Sequence, residues 1–239
     1  MNFERIFNLR DLGGLPAEDG RTVRHGLLYR SDDPHLATAA DVEALRALGI
    51  HTVIDLRLDE EVDRRGSTTW EALDVVHVRA STLTKPPVPA DLAKYIDPEF
   101  IRVEYFSMLG SEEVAHHLWG ALAAAGDKPR LVHCASGRDR TAIVCAFLLE
   151  ALGVDREHVL DDYAASAPGM VRLLAHLDVH HPADSTMSEG NRYSFVRTPR
   201  ECMAAFLDAV DEQHGSPVTY LEKLGVGAEL NRLRADLLE

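Results

Sequence analysis

Cys134 and Arg140 are the two residues of this chain whose types and spacing point most directly to chemistry. Cys134 follows the run Arg130 to His133, which predicts a strand, and Arg140 precedes the apolar run 141–149, which predicts a helix. Five intervening residues let successive backbone N–H groups curl around a tetrahedral oxyanion at the positive end of the helix. The same field stabilises a thiolate, so the segment predicts a nucleophile inside a phosphate-binding loop.

The other residues of the segment fit that chemistry. The guanidinium of Arg140 forks onto two oxygens of a phosphoryl group, whereas a lysine offers only a point charge. Gly137 permits the turn where the backbone closes on the ligand, and the hydroxyl of Thr141 is placed to donate to the sulfur of Cys134. The predicted substrate-binding residues are therefore Ala135, Ser136, Gly137, Arg138 and Thr141.

The spacing is specific to one of the three cysteines. Six residues after Cys145 lies Ala151, and six after Cys202 lies Asp208, so neither has the arginine. A buried structural cysteine beside a surface arginine is the alternative interpretation of Cys134. The flanking histidine, the central glycine and the strand-to-helix context favour the nucleophile.

The segment HCASGRDRT resembles the phosphate-binding loop of the cysteine-dependent protein tyrosine phosphatase superfamily, in particular the bacterial branch that shares HCxxGKDRT with phosphoinositide phosphatases. NLRDLGG at 8–14, YRSD at 29–32, IDLR at 54–57 and DDY at 161–163 are similar in type and order, so the resemblance spans nearly the whole chain. It implies a phosphomonoester hydrolase that works through a cysteinyl-phosphate on phosphotyrosine, a phosphoinositide or a soluble phosphorylated metabolite. Two residues depart from the pattern of the family: Arg138 stands where the family usually has lysine, and Ala142 stands where it usually has glycine.

The leaving oxygen of a phosphate ester needs a proton donor. Neither Trp70 nor Trp119 is followed by the Pro-Asp pair of the best-known tyrosine phosphatases. Asp139, inside the loop, and Asp55, at the end of a predicted strand, both remain candidates. We favour Asp139 as the acid and expect the other to position Arg140 or water, although ion pairing with arginines would make either a poor acid.

The surrounding pattern predicts an α/β fold with a mostly parallel central sheet flanked by helices, similar to tyrosine phosphatases. Strand-like runs at 26–29, 51–56, 75–78 and 131–133 alternate with helical patterns. Helix starts are predicted at Thr38, Ser111, Thr198 and Ser216. Parallel strands place ligands beyond their carboxyl ends, where Cys134 and Asp55 both lie.

We expect a single phosphatase domain over 1–239, with helices beyond about residue 155. A polar stretch at 180–191 interrupts these helices where the resembling family carries a helical lid. Residues 165–197 are accordingly predicted either to cover the active site or to form a surface connection.

Composition limits the partners. A net charge of −14 argues against nucleic acid and against stable association with anionic membranes. Arg10, Arg30 and Arg57 are expected to converge with the loop arginines into one positive cleft that takes an anionic phosphorylated substrate, either a small molecule or a phosphoprotein. Arg138 would then serve a second anionic group.

No cofactor and no metal are expected. The i, i+4 pair His176 and His180 lacks a confirming carboxylate or cysteine at metal-ligand spacing. Three cysteines make no disulfide framework, and no signal peptide or long apolar run stands out, so a cytoplasmic location is expected.

Two other function classes remain open. A rhodanese-type sulfurtransferase also places a cysteine before a helix, but it closes its loop with arginine at the fifth position, which here is Asp139. A non-catalytic phosphate-binding module usually lacks the nucleophile or the arginine, and this chain has both.

Overall fold

A five-stranded sheet forms the centre of the protein, in a computed structural model that describes residues 3–66, 68–82, 89–183 and 185–239. The strands are β1 (Arg10–Asp11), β2 (Leu28–Ser31), β3 (Thr52–Asp55), β4 (Val76–Arg79) and β5 (Arg130–His133). Their order is β1-β2-β5-β3-β4, and only the β1 pairing is antiparallel. The predicted mostly parallel sheet is confirmed, with its first parallel strand two residues later than predicted.

Helices flank both faces of this sheet. The α-helices of the described residues are α1 (Ala39–Ala47), α2 (Asp59–Arg65), α3 (Thr68–Glu71), α4 (Pro98–Glu104), α5 (Glu112–Ala124), α6 (Arg140–Ala151), α7 (Arg156–Ala164), α8 (Ala167–His180), α9 (Glu189–Phe195), α10 (Arg200–His214), α11 (Pro217–Lys223) and α12 (Gly227–Leu237). Short 3₁₀ helices cover Pro34–Leu36, Pro89–Lys94 and Tyr105–Met108. None of the described helices is both long and apolar enough to cross a bilayer.

Alternation along the strands supplies two hydrophobic cores. Leu28, Ile54 and Val132 point into the larger core with α5, α6 and α10, and each is fully buried. Their chain neighbours Tyr29, Val53 and Leu131 point to the opposite face, where they pack with Leu45 and Trp70. Successive strand side chains alternate between faces, so helices on both sides of the sheet bury the apolar residues of both faces.

Helix α6 passes through the larger core and carries the loop at its N-terminus. Every residue from Arg140 to Leu149 is buried, which is the pattern of a helix surrounded by protein rather than of a surface helix. Ala142, where the resembling family has glycine, is one of these core residues. The end of the helix that faces the site is therefore held from all sides.

Three of the four predicted helix starts are confirmed. Thr38, Ser111 and Ser216 each accept a hydrogen bond from the backbone N–H three residues on. The cap predicted at Thr198 is wrong, because its hydroxyl instead donates to the carbonyl of Ala164 and α10 begins at Arg200. A tertiary hydrogen bond has replaced the local one.

The segment 165–197 is mostly helical. Helices α8 and α9 are joined by the connection 181–188, shorter than the polar interruption predicted at 180–191, and Asp184 lies outside the described residues. Helix α9 packs against the 3₁₀ helix Pro89–Lys94.

Candidate active site

The carboxyl ends of three parallel strands meet at the site. Ser31 of β2 and Asp55 of β3 both lie in register with His133 of β5, the residue before Cys134. Each strand therefore leads into a loop on the same edge of the sheet, where ligands of open α/β sheets bind. Cys134 and Asp55 both lie at this edge, as the sequence predicted.

The loop from Cys134 to Asp139 turns its carbonyls outward. The Asn8 side-chain amide donates to the carbonyls of Ser136 (3.2 Å) and Gly137 (3.0 Å), and the Arg30 guanidinium donates to Gly137 (2.6 Å). Within the described part of the chain, no acceptor is found for the backbone N–H groups of 135–139. Five N–H donors at a helix N-terminus thus form a concave anion-binding nest.

Helix α7 and the N-terminal segment hold Asn8 and Arg30 in place. Arg10 donates to the side-chain oxygen of Asn8 (2.6 Å) and to Asp162 (2.6 Å), which also pairs with Arg30. Burial alone would raise the pKa of Asp162, but the charges of Arg30 and Arg10 outweigh it and lower that pKa. The motifs at 8–14, 29–32 and 161–163 thus form one support behind the loop.

Arg10, Arg30 and Arg57 correct a prediction made from the sequence. They gather around the loop, but the cavity that contains Cys134 is lined by Arg138 and Arg140 and not by them. Arg30 and Arg57 are almost completely buried, and each pairs with a carboxylate. A buried guanidinium is costly unless paired, so these arginines are structural.

Gly137 is where the loop approaches β2 most closely. Its φ is +66°, and a Cβ there would lie 2.4 Å from the carbonyl oxygen of Ser31. Only glycine meets both demands, because other residues rarely adopt that φ and the strand backbone cannot move aside.

We expect Gly137→Ala to lower the free energy of unfolding by about 2 kcal/mol or more and to reduce phosphate binding, because strain and the clash act together. Gly20→Ala is the matched control, since Gly20 has φ +84° but nothing within 4 Å of its Cβ position. It should lose only about 1 kcal/mol, from backbone strain alone. Denaturant unfolding and phosphate titration measure both, and equal losses for the two variants would contradict the close-approach explanation.

Cys134 lies at the bottom of a cavity of about 220 Å³ and is 2% exposed. Charged and polar groups share the lining of this cavity with apolar side chains. The lining residues are Glu61, Leu92, Tyr95, Met108, Cys134, Ser136, Arg138, Asp139, Arg140 and Phe195. Such a lining suits a ligand that carries both an anionic group and an apolar group.

Glu61, at the start of α2, fixes the guanidinium of Arg140. Its two carboxylate oxygens accept from Nη1 (2.7 Å) and Nη2 (2.9 Å), and Nη1 also donates to the carbonyl of Leu56. Burial alone would raise the pKa of Glu61, but the hydrogen bonds and charge of Arg140 outweigh it and lower that pKa. No described residue accepts from Nε, so the edge of the guanidinium formed by Nε and Nη2 is left for a phosphoryl group.

Arg138, which was predicted to bind substrate, has a guanidinium that is hydrogen-bonded to other parts of the protein. Its guanidinium donates to the carbonyls of Ser194 (3.0 Å), Phe195 (3.1 Å) and Tyr95 (3.0 Å), and it is buried. The residue lines the cavity, but these backbone carbonyls take most of its donors. It ties the C-terminal end of α9 and the segment at Tyr95 to the loop, and both segments supply cavity walls.

Asp139 faces the same cavity as Cys134. Its side chain is 21% exposed, Oδ1 accepts from the hydroxyl of Tyr105 (2.5 Å), and the same oxygen lies 3.3 Å from Nε of Arg138. It precedes Arg140 at the start of α6 but makes no capping hydrogen bond. The carboxyl group is thus directed away from the helix and toward the cavity.

Asp55 lies outside the cavity lining, in a buried network beneath the loop. Arg57 donates to both of its oxygens, at 3.0 and 2.7 Å, and His77 donates at 3.1 Å. Burial alone would raise the pKa of Asp55, but neighbouring His133, the hydrogen bonds from His77 and Arg57, and the Arg57 charge outweigh it and hold that pKa well below its usual range. The carboxylate orients Arg57, which also binds Asp33.

His133 connects this network to Cys134. Its Nε2 accepts from the indole N–H of Trp70 (3.0 Å), and its Nδ1 lies 3.1 Å from the carbonyl of Cys134. Since an indole only donates, this arrangement assigns the proton to Nδ1 and makes the ring neutral. Burial lowers the pKa of His133 in agreement with that state. The ring therefore orients the Cys134 peptide.

Asp55, His77 and His133 bring three metal-ligand atoms within 4.8 Å of one another. The lone pairs that would bind an ion already accept hydrogen bonds from Arg57 and Trp70. The Arg57 guanidinium also opposes a cation there. The hydrogen bonds that these residues make with Arg57, Trp70 and the Cys134 carbonyl show that the cluster holds the loop in position.

Thr141 differs from its predicted contact. Its hydroxyl is buried and has no hydrogen-bond partner among the described residues, so the predicted bond to the sulfur of Cys134 is not formed here. Sequence reasoning also missed Glu61, Tyr105, Tyr163 and Trp70. Tyr163 belongs to the DDY motif, but the motif did not indicate its contact with Tyr105. Glu61, Tyr105 and Trp70 lie outside the loop in sequence, and no local pattern distinguishes them.

Comparison with known proteins agrees with this geometry. The sequence profile described as the tyrosine phosphatase family matches residues 1–239. A tyrosine-protein phosphatase of Cupriavidus necator is 33% identical over 231 residues, which cover 92% of this chain and 81% of the relative.

Two further relatives are more distant. The triple specificity protein phosphatase PtpB of Mycobacterium tuberculosis is 28% identical, over 97% of this chain and 96% of the relative. A tyrosine-protein phosphatase of Nostoc commune is 28% identical, over 93% of this chain and 78% of the relative. The chain therefore belongs to the tyrosine phosphatase family, as its loop and supporting motifs predicted.

Proposed function

We propose that this phosphatase hydrolyses aryl phosphate monoesters, with phosphotyrosine in proteins or peptides as its substrate class, through a cysteinyl-phosphate on Cys134. The observation that carries the proposal is the cavity of about 220 Å³, whose lining combines the loop of Cys134 with the side chains of Leu92, Tyr95 and Phe195. The names of the three relatives, each a protein phosphatase, support it.

The walls favour an aromatic ring. Leu92, Tyr95, Met108 and Phe195 offer apolar and aromatic surface, against which a phenyl ring is stabilised and a hydroxylated inositol ring is not. Arg138 is the residue most suited to binding a second anionic group, but its guanidinium already donates hydrogen bonds to backbone carbonyls. A substrate with one phosphate and a flat apolar group therefore fits this cavity best.

The first chemical step transfers the phosphoryl group to sulfur. The N–H groups of the loop bind its oxygens, the free edge of Arg140 binds two of them, and the thiolate of Cys134 attacks phosphorus. The bond from phosphorus to the tyrosyl oxygen breaks, and that oxygen takes a proton from Asp139. Ser136 and Arg140 line the cavity in which this step would take place.

The second step returns the enzyme to its starting state. Water attacks the phosphorus of the cysteinyl-phosphate, Asp139 takes the proton of that water, and the sulfur of Cys134 leaves as a thiolate. Glu61 holds Arg140 in one orientation through both steps, so no reorganisation is needed as charge develops. We assign Asp55 to orienting Arg57 beneath the loop.

A substrate survey tests the proposal. Purified protein is assayed against a phosphotyrosine peptide, a phosphoserine peptide, an inositol bisphosphate and phosphoinositide vesicles, with Cys134→Ser as the background. We expect kcat/KM for the phosphotyrosine peptide to exceed the others by about tenfold or more, since one apolar ring is worth about 1.5 kcal/mol or more in binding. Faster turnover of an inositol phosphate would refute the aryl specificity while leaving a phosphatase.

Asp139→Asn tests the proton donor. We expect it to slow a phosphotyrosine peptide by about 10²-fold, because the tyrosyl oxygen, with an ordinary pKa of about 10, leaves poorly without a proton. Nitrophenyl phosphate, whose oxygen leaves as an anion, should slow far less. The basic limb of the pH profile for the phosphotyrosine peptide should flatten.

Asp55→Asn is the matched comparison, with the same change on the carboxylate beneath the loop. It should slow both substrates alike, as expected of a residue that orients Arg57 and the loop. Leaving-group sensitivity at Asp55 and a uniform loss at Asp139 would reverse the assignment and retain the phosphatase chemistry.

We further propose that residues 165–197 cover the active site within a single domain that spans the chain. Phe195 at the end of α9 lines the cavity, and Arg138 bonds to the carbonyls of Ser194 and Phe195. These contacts support a covering role, because the segment supplies part of the wall against which the substrate ring packs.

A further inference from the structure

Two buried tyrosine hydroxyls stand in series behind Asp139. Tyr105 lies in the 3₁₀ helix Tyr105–Met108 and Tyr163 in α7, and they are 0% and 1% exposed. The Tyr105 hydroxyl donates to Oδ1 of Asp139 at 2.5 Å and lies 3.1 Å from the Tyr163 hydroxyl. Because the proton of Tyr105 points at Asp139, the Tyr163 hydroxyl donates to the Tyr105 oxygen, and a hydrogen-bonded chain links α7 to the loop.

The two oxygens of Asp139 have different surroundings. Oδ1 accepts from Tyr105 and lies 3.3 Å from Nε of Arg138. Among the described residues, none donates to Oδ2. Oδ1 is thus held by the protein, and Oδ2 is left for a group in the cavity. Asp139 and Cys134 line the same cavity.

Both hydroxyls keep their protons at the pH at which the enzyme works. Burial, followed by the charge of Asp139, raises the pKa of Tyr105 well above its usual value, and burial likewise raises the pKa of Tyr163. A phenol that cannot ionise is a permanent donor. Its geometry is also rigid, because the Tyr105 ring packs edge-on against Phe206 in the core.

We propose that Tyr105, itself held by Tyr163, is a positioning residue that fixes the carboxyl of Asp139 with Oδ2 toward the leaving oxygen of the substrate. This inference rests on the proposed function, in which Asp139 is the proton donor. The torsion that turns a carboxylate is soft, so without the hydroxyl the group rotates toward Arg138. A misplaced donor costs rate even when its chemistry is intact.

Tyr105→Phe tests the inference, because it removes one oxygen and keeps the buried ring. We expect turnover of a phosphotyrosine peptide to fall by about tenfold and turnover of nitrophenyl phosphate by less than about twofold. The inhibition constant of inorganic phosphate should not change, since the substitution leaves the loop N–H groups and Arg140 in place.

Tyr163→Phe provides a second, gentler variant. It should give the same leaving-group pattern with a smaller loss, because it acts through Tyr105, and it carries the test if Tyr105→Phe does not fold. Tyr220→Phe is the matched control, since Tyr220 packs against Phe147 and His214 away from the site. It should show no difference between the two substrates.

Asp139→Asn, assayed in parallel, separates the outcomes. If it shows leaving-group sensitivity while Tyr105→Phe slows both substrates alike or neither, the positioning role is overturned and the proposed function stands. If Asp139→Asn itself shows no such sensitivity, the positioning role falls with the acid assignment. If the unmodified protein does not hydrolyse aryl phosphates, the proposed function fails first.

Discussion

Cys134→Ser is expected to lower phosphatase turnover by on the order of 10⁴-fold or more while phosphate still binds. A serine hydroxyl stays protonated at neutral pH and is a far weaker nucleophile than a thiolate in the same field. The anion nest consists of backbone N–H groups and Arg140, and the substitution removes none of them. Steady-state rates with nitrophenyl phosphate and calorimetric titration with inorganic phosphate measure the two effects separately.

Cys202→Ser is the matched control for this prediction. Cys202 is also fully buried, but it lies in α10 and outside the cavity lining. The same atom exchange there should leave the rate of the folded protein within about twofold, because surrounding catalytic groups do not move. Activity above about one per cent in purified Cys134→Ser would refute the covalent route.

The loop was predictable because its information is local. A strand, a cysteine, five residues and an arginine that opens a helix are contiguous in sequence, so backbone geometry alone brings Cys134 and Arg140 to one anion. The parallel sheet was equally predictable, since the helix-strand alternation leaves few topologies. The same reasoning located Asp55 at the correct edge of the sheet.

The supports of the loop were not predictable, because each depends on a contact between distant segments. Glu61 lies 79 positions before Arg140, and Tyr105 lies 34 before Asp139. Neither residue type is unusual, and nothing in the sequence distinguishes Glu61 from the adjacent Glu60. Only the fold determines which carboxylate faces the guanidinium.

The arginines illustrate a limit of reasoning from charge. Scattered arginines in an acidic chain suggested one positive cleft, but burial decides their role. Arg30 and Arg57 are taken out of water, so each needs a carboxylate partner, and Asp162, Asp55 and Asp33 supply them. The groups that remain available to bind an anionic substrate are the backbone N–H groups of the loop and one edge of the Arg140 guanidinium.

Arg140→Lys is expected to reduce turnover by about 10²-fold or more, although the positive charge is kept. Glu61 holds the edge of the Arg140 guanidinium formed by Nη1 and Nη2, which leaves Nε and Nη2 parallel and ready for two phosphoryl oxygens. A lysine ammonium cannot bond to Glu61 on one side and bridge two oxygens on the other, so transition-state charge loses a fixed partner.

Glu61→Gln gives the graded companion to that variant. Arg140 keeps its own donors but loses the carboxylate that orients them, so we expect a loss of about tenfold, smaller than for Arg140→Lys. Rates at saturating nitrophenyl phosphate, with thermal unfolding to verify the fold, measure both. If lysine at position 140 supported the same rate as arginine, charge alone would suffice, and the paired edges of the guanidinium would have no part in catalysis.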